Sequence, residues 1–348
     1  MVEKGTSPRK KKSYALGFVI LGAVFVLVLF LSVSLGRYAV SLRDITELLF
    51  RREAFLAQGG REAQNAASTL FNIRLPRIAA AALIGAALSA AGVSYQGMFR
   101  NPMVSPDILG ASTGAGFGAA LAILLGAGYF MVSVSAFIFG LAAVFIAYFV
   151  SRMTRRKNQT LAMILAGMVV SSLFQAATSL VKLAADAEDK LPAIIYWLMG
   201  SLSSVKPVDL RFLVIPMAVG LVPLFLLRWR MNLLTVGEEE AHTMGVNTTA
   251  LRLIVVLCST LLTAASVAVS GMIGWVGLVI PHFCRMIFGY DYRRLIPASM
   301  LFGAAYLVTV DTIARVVTAQ ELPLGILTAF VGAPLFLYLL MKGDARNA

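Results

Sequence analysis

Residues 274–285, GWVGLVIPHFCR, hold the side chains of this chain best suited to metal binding or proton transfer. The chain has only two histidines and two cysteines, and His282 and Cys284 lie here beside Pro281 and Arg285. The pattern is compatible with a metal site, a proton relay or the end of a helix. One histidine and one cysteine make an incomplete metal shell, because zinc needs three or four protein ligands. We therefore predict a structural helix end and no metal site.

Motifs for catalysis are absent from the sequence. It contains no GxxxxGK[ST] phosphate loop, no HExxH and no GxSxG, so we predict that the chain is not an enzyme and binds no cofactor itself. Asp311 is the only acidic residue within the apolar stretches, which disfavours a relay driven by protons or ions. Energy for any work that the chain does must then come from elsewhere.

The composition places the chain in a lipid bilayer. Of its 348 residues, 59% are hydrophobic and only 14% are charged, whereas soluble domains are about half apolar. The formal charge of +13 could indicate nucleic-acid binding in a soluble protein. In a membrane protein the basic residues flank the spans and contact anionic lipid, so we expect lipid and no nucleic acid as a partner.

Uncharged stretches long enough to cross about 30 Å of hydrocarbon predict an all-α polytopic protein with ten transmembrane helices. A shorter apolar piece, residues 191–205, should cap the outer face or re-enter the membrane. The ten predicted spans are residues 14–36, 78–99, 108–127, 131–151, 160–181, 212–227, 253–270, 272–288, 295–316 and 322–341.

The distribution of basic residues predicts cytoplasmic amino and carboxyl termini (N-in/C-in). With this orientation the inner segments hold 18 lysines and arginines and the outer segments hold 12. Residues 1–13 form a basic cytoplasmic terminus, 14–342 a single membrane domain and 343–348 a cytoplasmic tail. The outer segment 37–77 is an exception to the rule, since it alone contains seven arginines.

Pro281 predicts a kink in the eighth span. It has no N–H group, and its ring crowds the carbonyl of Gly277 one turn earlier. His282 and Arg285 would then lie near the inner end of this helix, where positive charge faces the negative end of the helix dipole.

Four blocks carry a family resemblance: residues 73–119, 237–246 (GEEEAHTMGV), 270–285 and 321–340 (ELPLGILTAFVGAPLFLYLL). The chain resembles the permease subunits of bacterial ABC importers for iron–siderophores, haem and vitamin B12. This resemblance implies a type II ABC importer permease fold in the bacterial cytoplasmic (inner) membrane. It also implies a second permease copy, two cytoplasmic ATPase subunits that bind ATP and magnesium, and an extracytoplasmic binding protein.

The resemblance also assigns residues to three roles. Arginines at the outer span ends would dock the binding protein: Arg74, Arg77 and Arg315. Residues of the cytoplasmic coupling region 229–250 would contact the ATPase: Gly237, Glu238, Glu239, Glu240, Ala241, Met244 and Gly245. Small and polar residues would line or gate the path: Gln96, Asn101, Pro102, Ser112 and Thr160.

Each role has a simpler alternative from the residues alone. The arginines could lie among lipid headgroups, or Arg315 could pair with Asp311 one turn earlier. The acidic stretch could be a solvated loop, and the path residues could reflect ordinary helix packing. The cargo expected from the resemblance is a metal chelate, a ferric siderophore first and haem or cobalamin next. A secondary transporter or channel driven by an ion gradient is the alternative function, and a structural membrane subunit is a third.

Overall fold

The computed structural model describes residues 8–38, 40–58, 60–154, 159–236, 243–318 and 320–344. Over these residues the chain is helical and contains no β-strand. The first part comprises α1 (Pro8–Ser34), α2 (Leu42–Phe50), α3 (Arg52–Gln58), α4 (Gly60–Ser68), a π-helical turn (Thr69–Arg74), α5 (Leu75–Met98), a 3-10 turn (Pro106–Leu109), α6 (Ala111–Leu124), α7 (Tyr129–Met153) and α8 (Gln159–Ala184).

The second part comprises α9 (Lys190–Met199), α10 (Pro207–Leu226), α11 (Met231–Val236), α12 (Thr248–Ser270), α13 (Val276–Phe288), α14 (Tyr292–Val316) and α15 (Leu324–Asp344). Every predicted span is occupied by a helix, which confirms the all-α polytopic class. Within the part of the chain that the structure describes, seven stretches are long and apolar enough to cross a membrane: Ser13–Ser34, Gly60–Met98, Tyr129–Met153, Thr160–Ala184, Pro207–Leu226, Thr248–Ser270 and Tyr292–Val316.

Helix α5 lies at the centre of the core, packed against α12, α13 and α14. Its sequence is rich in alanine and glycine, and 78% of its apolar window is buried. A Cβ atom on Gly92 would clash with the backbone of Gly277, and one on Gly85 would clash with the backbone of Gly303. Glycine at these positions therefore lets the backbones of α5, α13 and α14 approach closely.

Helices α6 and α13 are shorter than the predicted spans. They have 14 and 13 residues, about 20 Å of helix, which is less than the hydrocarbon thickness. Helix α6 begins after Gly110, whose φ is +87°, and α13 begins after Trp275, whose φ is +69°. Because φ angles in this region interrupt a helix, the chain runs irregularly before both elements.

The segment between the first two spans forms a small layer of helices, α2 to α4. The side chain of Ser41 caps the amino end of α2 and accepts a hydrogen bond from the Asp44 N–H. Apolar side chains including Ile45, Leu48 and Leu70 hold the layer together. The layer continues through the π-helical turn directly into α5, so it positions the outer end of the central helix.

Candidate translocation path

Two cavities adjoin each other along the wall built by α6, α8, α9 and α15. One, the polar cavity, has a volume of ≈ 510 Å³, and the other, the apolar cavity, has a volume of ≈ 660 Å³. Both are lined by Leu198, Met272 and Gly274. Met272 and Gly274 belong to the irregular segment before α13, and irregular backbone at membrane depth is expected where it is buried in protein or lines a cavity.

The polar cavity is lined by one face of α8. Gln175, Thr178, Ser179 and Lys182 recur at helical spacing. They line the cavity together with Asp107 in the 3-10 turn and Ser112 in the first turn of α6. The hydroxyl of Thr178 donates to the Phe174 carbonyl at 2.8 Å, so it is already satisfied within the helix. The other polar lining residue is Thr113.

The charged groups of the polar cavity differ in how they are held. The Asp107 carboxylate accepts a short hydrogen bond from the Ser112 hydroxyl. Lys182 is half-buried, and its ammonium makes no hydrogen bond or ion pair with the described residues. A positive group that has no partner among the residues the structure describes is therefore available to whatever enters this cavity.

The apolar cavity is bounded by α15 and by Trp275. The Leu324 N–H donates to the Gly200 carbonyl at 2.8 Å, which joins the start of α15 to the end of α9. A Cβ atom on Gly332 would lie 2.6 Å from the Trp275 Cβ, so this glycine allows α15 to approach the tryptophan. The positive φ of Trp275, unusual for a bulky residue, is thus fixed between packed elements at the cavity wall.

The five predicted path residues do not form one group. Ser112 lines the polar cavity, whereas Thr160 lines a separate small cavity of ≈ 20 Å³. Asn101 and Pro102 are exposed in the loop after α5, and the Asn101 side chain accepts from the Met103 N–H at 2.9 Å. Gln96 is buried and lines neither large cavity. The structure therefore gives no support to the predicted place of Gln96 on the path, because its side chain is buried between helices.

Gln96 joins α5 to α13. Its amide Nε2 donates to the Gly277 carbonyl at 3.3 Å and to the Val104 carbonyl at 3.2 Å, and its Oε1 accepts from Arg285 Nη1 at 2.6 Å. Pro281 has no N–H to offer the Gly277 carbonyl, so the amide of Gln96 takes the place of the missing helical donor. Gln96 thus stabilises helix packing, because a buried carbonyl needs a partner.

The predicted helix end is in place, but its environment differs from the prediction. Arg285 lies in the last turn of α13 and is only 8% exposed, so its guanidinium points into the protein and not toward lipid headgroups. His282 is half-buried and Cys284 is fully buried. Among the described residues no group of three or more His, Cys, Asp or Glu could hold a metal ion.

A buried ion-pair network, the outer charge cluster, connects α5, α14 and the start of α15. Arg77 donates from Nε to Asp311 Oδ1 at 2.7 Å and from Nη1 to Glu321 Oε2 at 2.8 Å. Arg315 Nε lies 3.2 Å from Asp311 Oδ2, close enough for an ion pair although the atoms are not aligned as a hydrogen bond. Two arginines and two carboxylates therefore balance each other.

The structure corrects the prediction that Arg74, Arg77 and Arg315 present their charges to a binding protein. Each is at most 6% exposed. Arg74 donates to the backbone carbonyls of Val33 and Tyr38, and the other two belong to the outer charge cluster. The alternative pairing of Arg315 with Asp311 is the one observed, because desolvated guanidinium groups need partners inside the chain.

The junction between α11 and α14 lies near the predicted coupling region. Asn232 donates to Asp291 Oδ1 at 3.0 Å and accepts from the Tyr292 N–H at 3.0 Å. Partial burial opposes ionisation of Asp291. The backbone N–H of Arg293, the Asn232 amide and the Arg294 charge outweigh this effect, so the pKa of Asp291 lies below its usual value.

Most of the predicted coupling residues, Gly237, Glu238, Glu239, Glu240 and Ala241, lie outside the described residues. Met244 is exposed and Gly245 has a φ of +75°. Upstream, the Nε of Arg100 donates to the Leu234 carbonyl at 2.8 Å, which ties α11 to the end of α5. The segment that leads into the coupling region is thus attached to the central helix.

The irregular segment and the glycine contacts of α5 lie within a region that matches a known family. Residues 24–342 match the FecCD transport family. The chain belongs to this family. The membership confirms the resemblance to ABC importer permeases, since relatives are named for cobalamin and iron(3+)-hydroxamate import.

Individual FecCD relatives match most of the chain. The molybdate import system permease MolB of Haemophilus influenzae is 39% identical and covers 93% of this chain and 95% of its own length. The hemin transport system permease HmuU of Yersinia pestis is 39% identical, and the match covers 78% of this chain and 82% of HmuU. The solved structure of a metal-chelate type ABC transporter in an inward-facing conformation superposes with a TM-score of 0.82 at 39% identity. The match covers 92% of this chain and 97% of the solved chain. The fold is that of a type II ABC importer permease, and the function is that of the membrane permease of such an importer.

Sequence reasoning did not identify Lys182, Asp107 or Glu321 as functional candidates. Lys182 continues the polar face of α8, so the spacing of Gln175, Thr178 and Lys182 was a usable signal. The sequence offers no comparable signal for Glu321, because its contact with Arg77 joins residues 244 positions apart.

Proposed function

We propose that this permease carries a bulky, negatively charged metal chelate through the polar and apolar cavities. The observation that supports the proposal is the ammonium of Lys182, which has no partner among the described residues and lies in a cavity that adjoins an apolar one. A chelate with an anionic group and an apolar body would contact both, whereas a small oxyanion would use only the polar cavity. Among the expected cargos, an anionic ferric siderophore fits this description, and haem with its two carboxylates follows.

We propose that the transport is driven by two ATPase subunits that hydrolyse magnesium-bound ATP beneath a pair of permease copies in the bacterial inner membrane. An extracytoplasmic binding protein would deliver the cargo. An ion-gradient mechanism is disfavoured because the buried carboxylate of Asp311 is neutralised by Arg77 and Arg315 and is not free to relay ions. Uptake by the permease alone, on an ion gradient and without the ATPase, would establish the alternative.

The cargo proposal is tested by uptake into proteoliposomes containing the permease and its cognate ATPase and binding protein. The probes are a ferric catecholate siderophore, haemin, cyanocobalamin and molybdate. We expect Lys182→Met to reduce uptake of the accepted anionic probe about tenfold, the cost of losing one hydrogen bond to a charged group, and Lys182→Arg to retain most of it. Lys206→Met, at an exposed lysine outside both cavities, is the matched control. Unchanged uptake by Lys182→Met would exclude a contact between this ammonium and the cargo.

We also propose that Gly237, Glu238, Glu239, Glu240, Ala241, Met244 and Gly245 contact the ATPase. Replacing the three glutamates with lysine should detach the ATPase or abolish stimulated ATP hydrolysis while the binding protein still docks. Co-purification and ATP hydrolysis in liposomes measure both effects. Normal values for both would return this segment to a solvated loop.

For the binding protein, we propose docking on the exposed arginines of the outer helices in place of the three buried ones. Three exposed arginines are available there: Arg51 just before α3, Arg52 on α3 and Arg61 on α4. Reversing all three to glutamate should weaken binding-protein affinity, and wild-type affinity should fall with rising salt because exposed charges are screened. Equal affinities across a salt series in nanodiscs would contradict this surface.

A further inference from the structure

A third cavity lies away from the path, at the predicted cytoplasmic ends of α10 and α14. Its volume is ≈ 540 Å³, and its lining residues are Leu226, Arg228, Trp229 and Arg293. It shares no lining residue with the polar or apolar cavity. Its position at the end of a membrane-spanning helix places it at the level of the lipid headgroups.

The apolar side of this cavity continues a lipid-facing stripe. Ile215, Val219, Val222 and Leu226 recur at intervals of four, three and four residues along α10 and are 53% to 68% exposed. Such a stripe on a membrane helix faces hydrocarbon. Because Leu226 belongs both to the stripe and to the cavity, the cavity opens at the level where the acyl chains join the lipid headgroups.

The polar side of the cavity is basic. Arg228 Nη1 donates to the Phe225 carbonyl at 2.9 Å, and its guanidinium lies 3.9 Å from the centre of the Phe225 ring, which fixes its position. Arg293 is exposed, and its side chain makes no ion pair with the described residues. The nearby carboxylate of Asp291 is held by Asn232 and Arg294, together with the Arg293 backbone N–H.

We propose that this cavity binds the phosphate headgroup of an anionic phospholipid, with Arg228 and Arg293 on the phosphate and one acyl chain along the stripe of α10. Guanidinium groups suit phosphate because their N–H donors match its oxygens. The half-exposed Trp229 ring fits the membrane–water boundary, where tryptophan is enriched. The acidic face of an ATPase could pair with the same arginines, but it would leave the hydrocarbon-facing side of Leu226 uncovered.

Bound lipid would brace the junction that leads to the coupling region. Arg228 and Trp229 are separated from the start of α11 by Arg230 alone, and Arg293 lies one residue beyond the Asn232 contact to Tyr292. One phosphate held by both arginines would link the end of α10 to the start of α14. The site therefore adds a lipid-dependent connection beside the Asn232–Asp291 hydrogen bond.

The test is native mass spectrometry of the purified full-length permease with added phosphatidylglycerol or phosphatidylcholine. We expect selective retention of phosphatidylglycerol, and a loss of about fivefold in its affinity for each arginine replaced, about 25-fold for Arg228→Gln with Arg293→Gln. Arg228→Lys with Arg293→Lys should retain part of the affinity, which separates lost charge from misfolding. Arg152→Gln with Arg211→Gln removes the same charge from two exposed arginines that line none of the three cavities, and it should leave the affinity unchanged.

Three outcomes would overturn the proposal. Equal retention of both lipids would show that the cavity does not select anionic headgroups. Displacement of phosphatidylglycerol by inorganic phosphate alone would show that the acyl chain contributes nothing. Unchanged lipid affinity in the double glutamine variant, combined with loss of ATPase co-purification, would assign the two arginines to the partner subunit.

Discussion

The outer charge cluster allows a sharp prediction about buried charge. Asp311 is fully buried, and its two oxygens lie 2.7 Å from Arg77 and 3.2 Å from Arg315. Asp311→Asn keeps the shape of the side chain but leaves two buried guanidinium groups with one carboxylate, that of Glu321. Breaking a buried ion pair from one side costs about 3–5 kcal/mol because the remaining charge stays desolvated.

The measurement is the free energy of unfolding, obtained by titrating purified variants in mixed micelles with SDS. The matched control is Glu47→Gln, which breaks an exposed pair with Arg43 at 3.0 Å. Exposed pairs contribute about 0.2–1 kcal/mol. The control should therefore lower the free energy of unfolding much less than Asp311→Asn does, although the distances between the paired atoms are similar. Adding Arg315→Met to Asp311→Asn should recover part of the loss, since it restores the charge balance. A loss for Asp311→Asn no larger than that of the control would refute this reasoning.

Three further predictions concern helix packing and pH. Gly92→Ala should abolish recovery of monodisperse permease because its Cβ would meet backbone, whereas Gly22→Ala, with open space around it, should be neutral by size-exclusion chromatography. Gln96→Glu keeps an acceptor for Arg285 and should destabilise less than Gln96→Leu in thermal unfolding; the reverse order would contradict a stabilising role for the hydrogen bond between Gln96 and Arg285. Asp291→Asn should lower stability at neutral pH. Because the native pKa of Asp291 is lowered, its contribution to wild-type stability should be fully present above pH about 3.9 and should be lost as the pH falls through the native pKa, where the difference from the variant should vanish.

The positions of the helices could be predicted from the sequence because they depend on local properties. Runs without charge place α7 or α12 within a few residues, since hydrocarbon thickness sets their length. The shortening of α13 could not be predicted in the same way. It depends on the positive φ of Trp275, which tertiary packing against α15 maintains.

The roles of individual polar residues were harder to predict than the helices. A glutamine in an apolar helix suggested a path residue, yet Gln96 serves the carbonyl that Pro281 leaves without a donor. Burial of Arg77 depends on Asp311 and Glu321, which are more than 230 positions away in the chain. Long-range contacts of this kind carry no periodic signal in one sequence.

The helices of the subunit differ widely in how much of their surface lies against other helices of the same chain. Most of the apolar window of α5 and α12 is buried, 78% in each case, whereas only 28% of the window of α8 is. The glycine contacts of α5 leave no free space, because a Cβ atom added at Gly85 or Gly92 would already clash with the backbone of a neighbouring helix. Cargo passage should therefore rearrange α8, and hydrogen exchange during turnover should be fast in its amides while those of α5 stay protected.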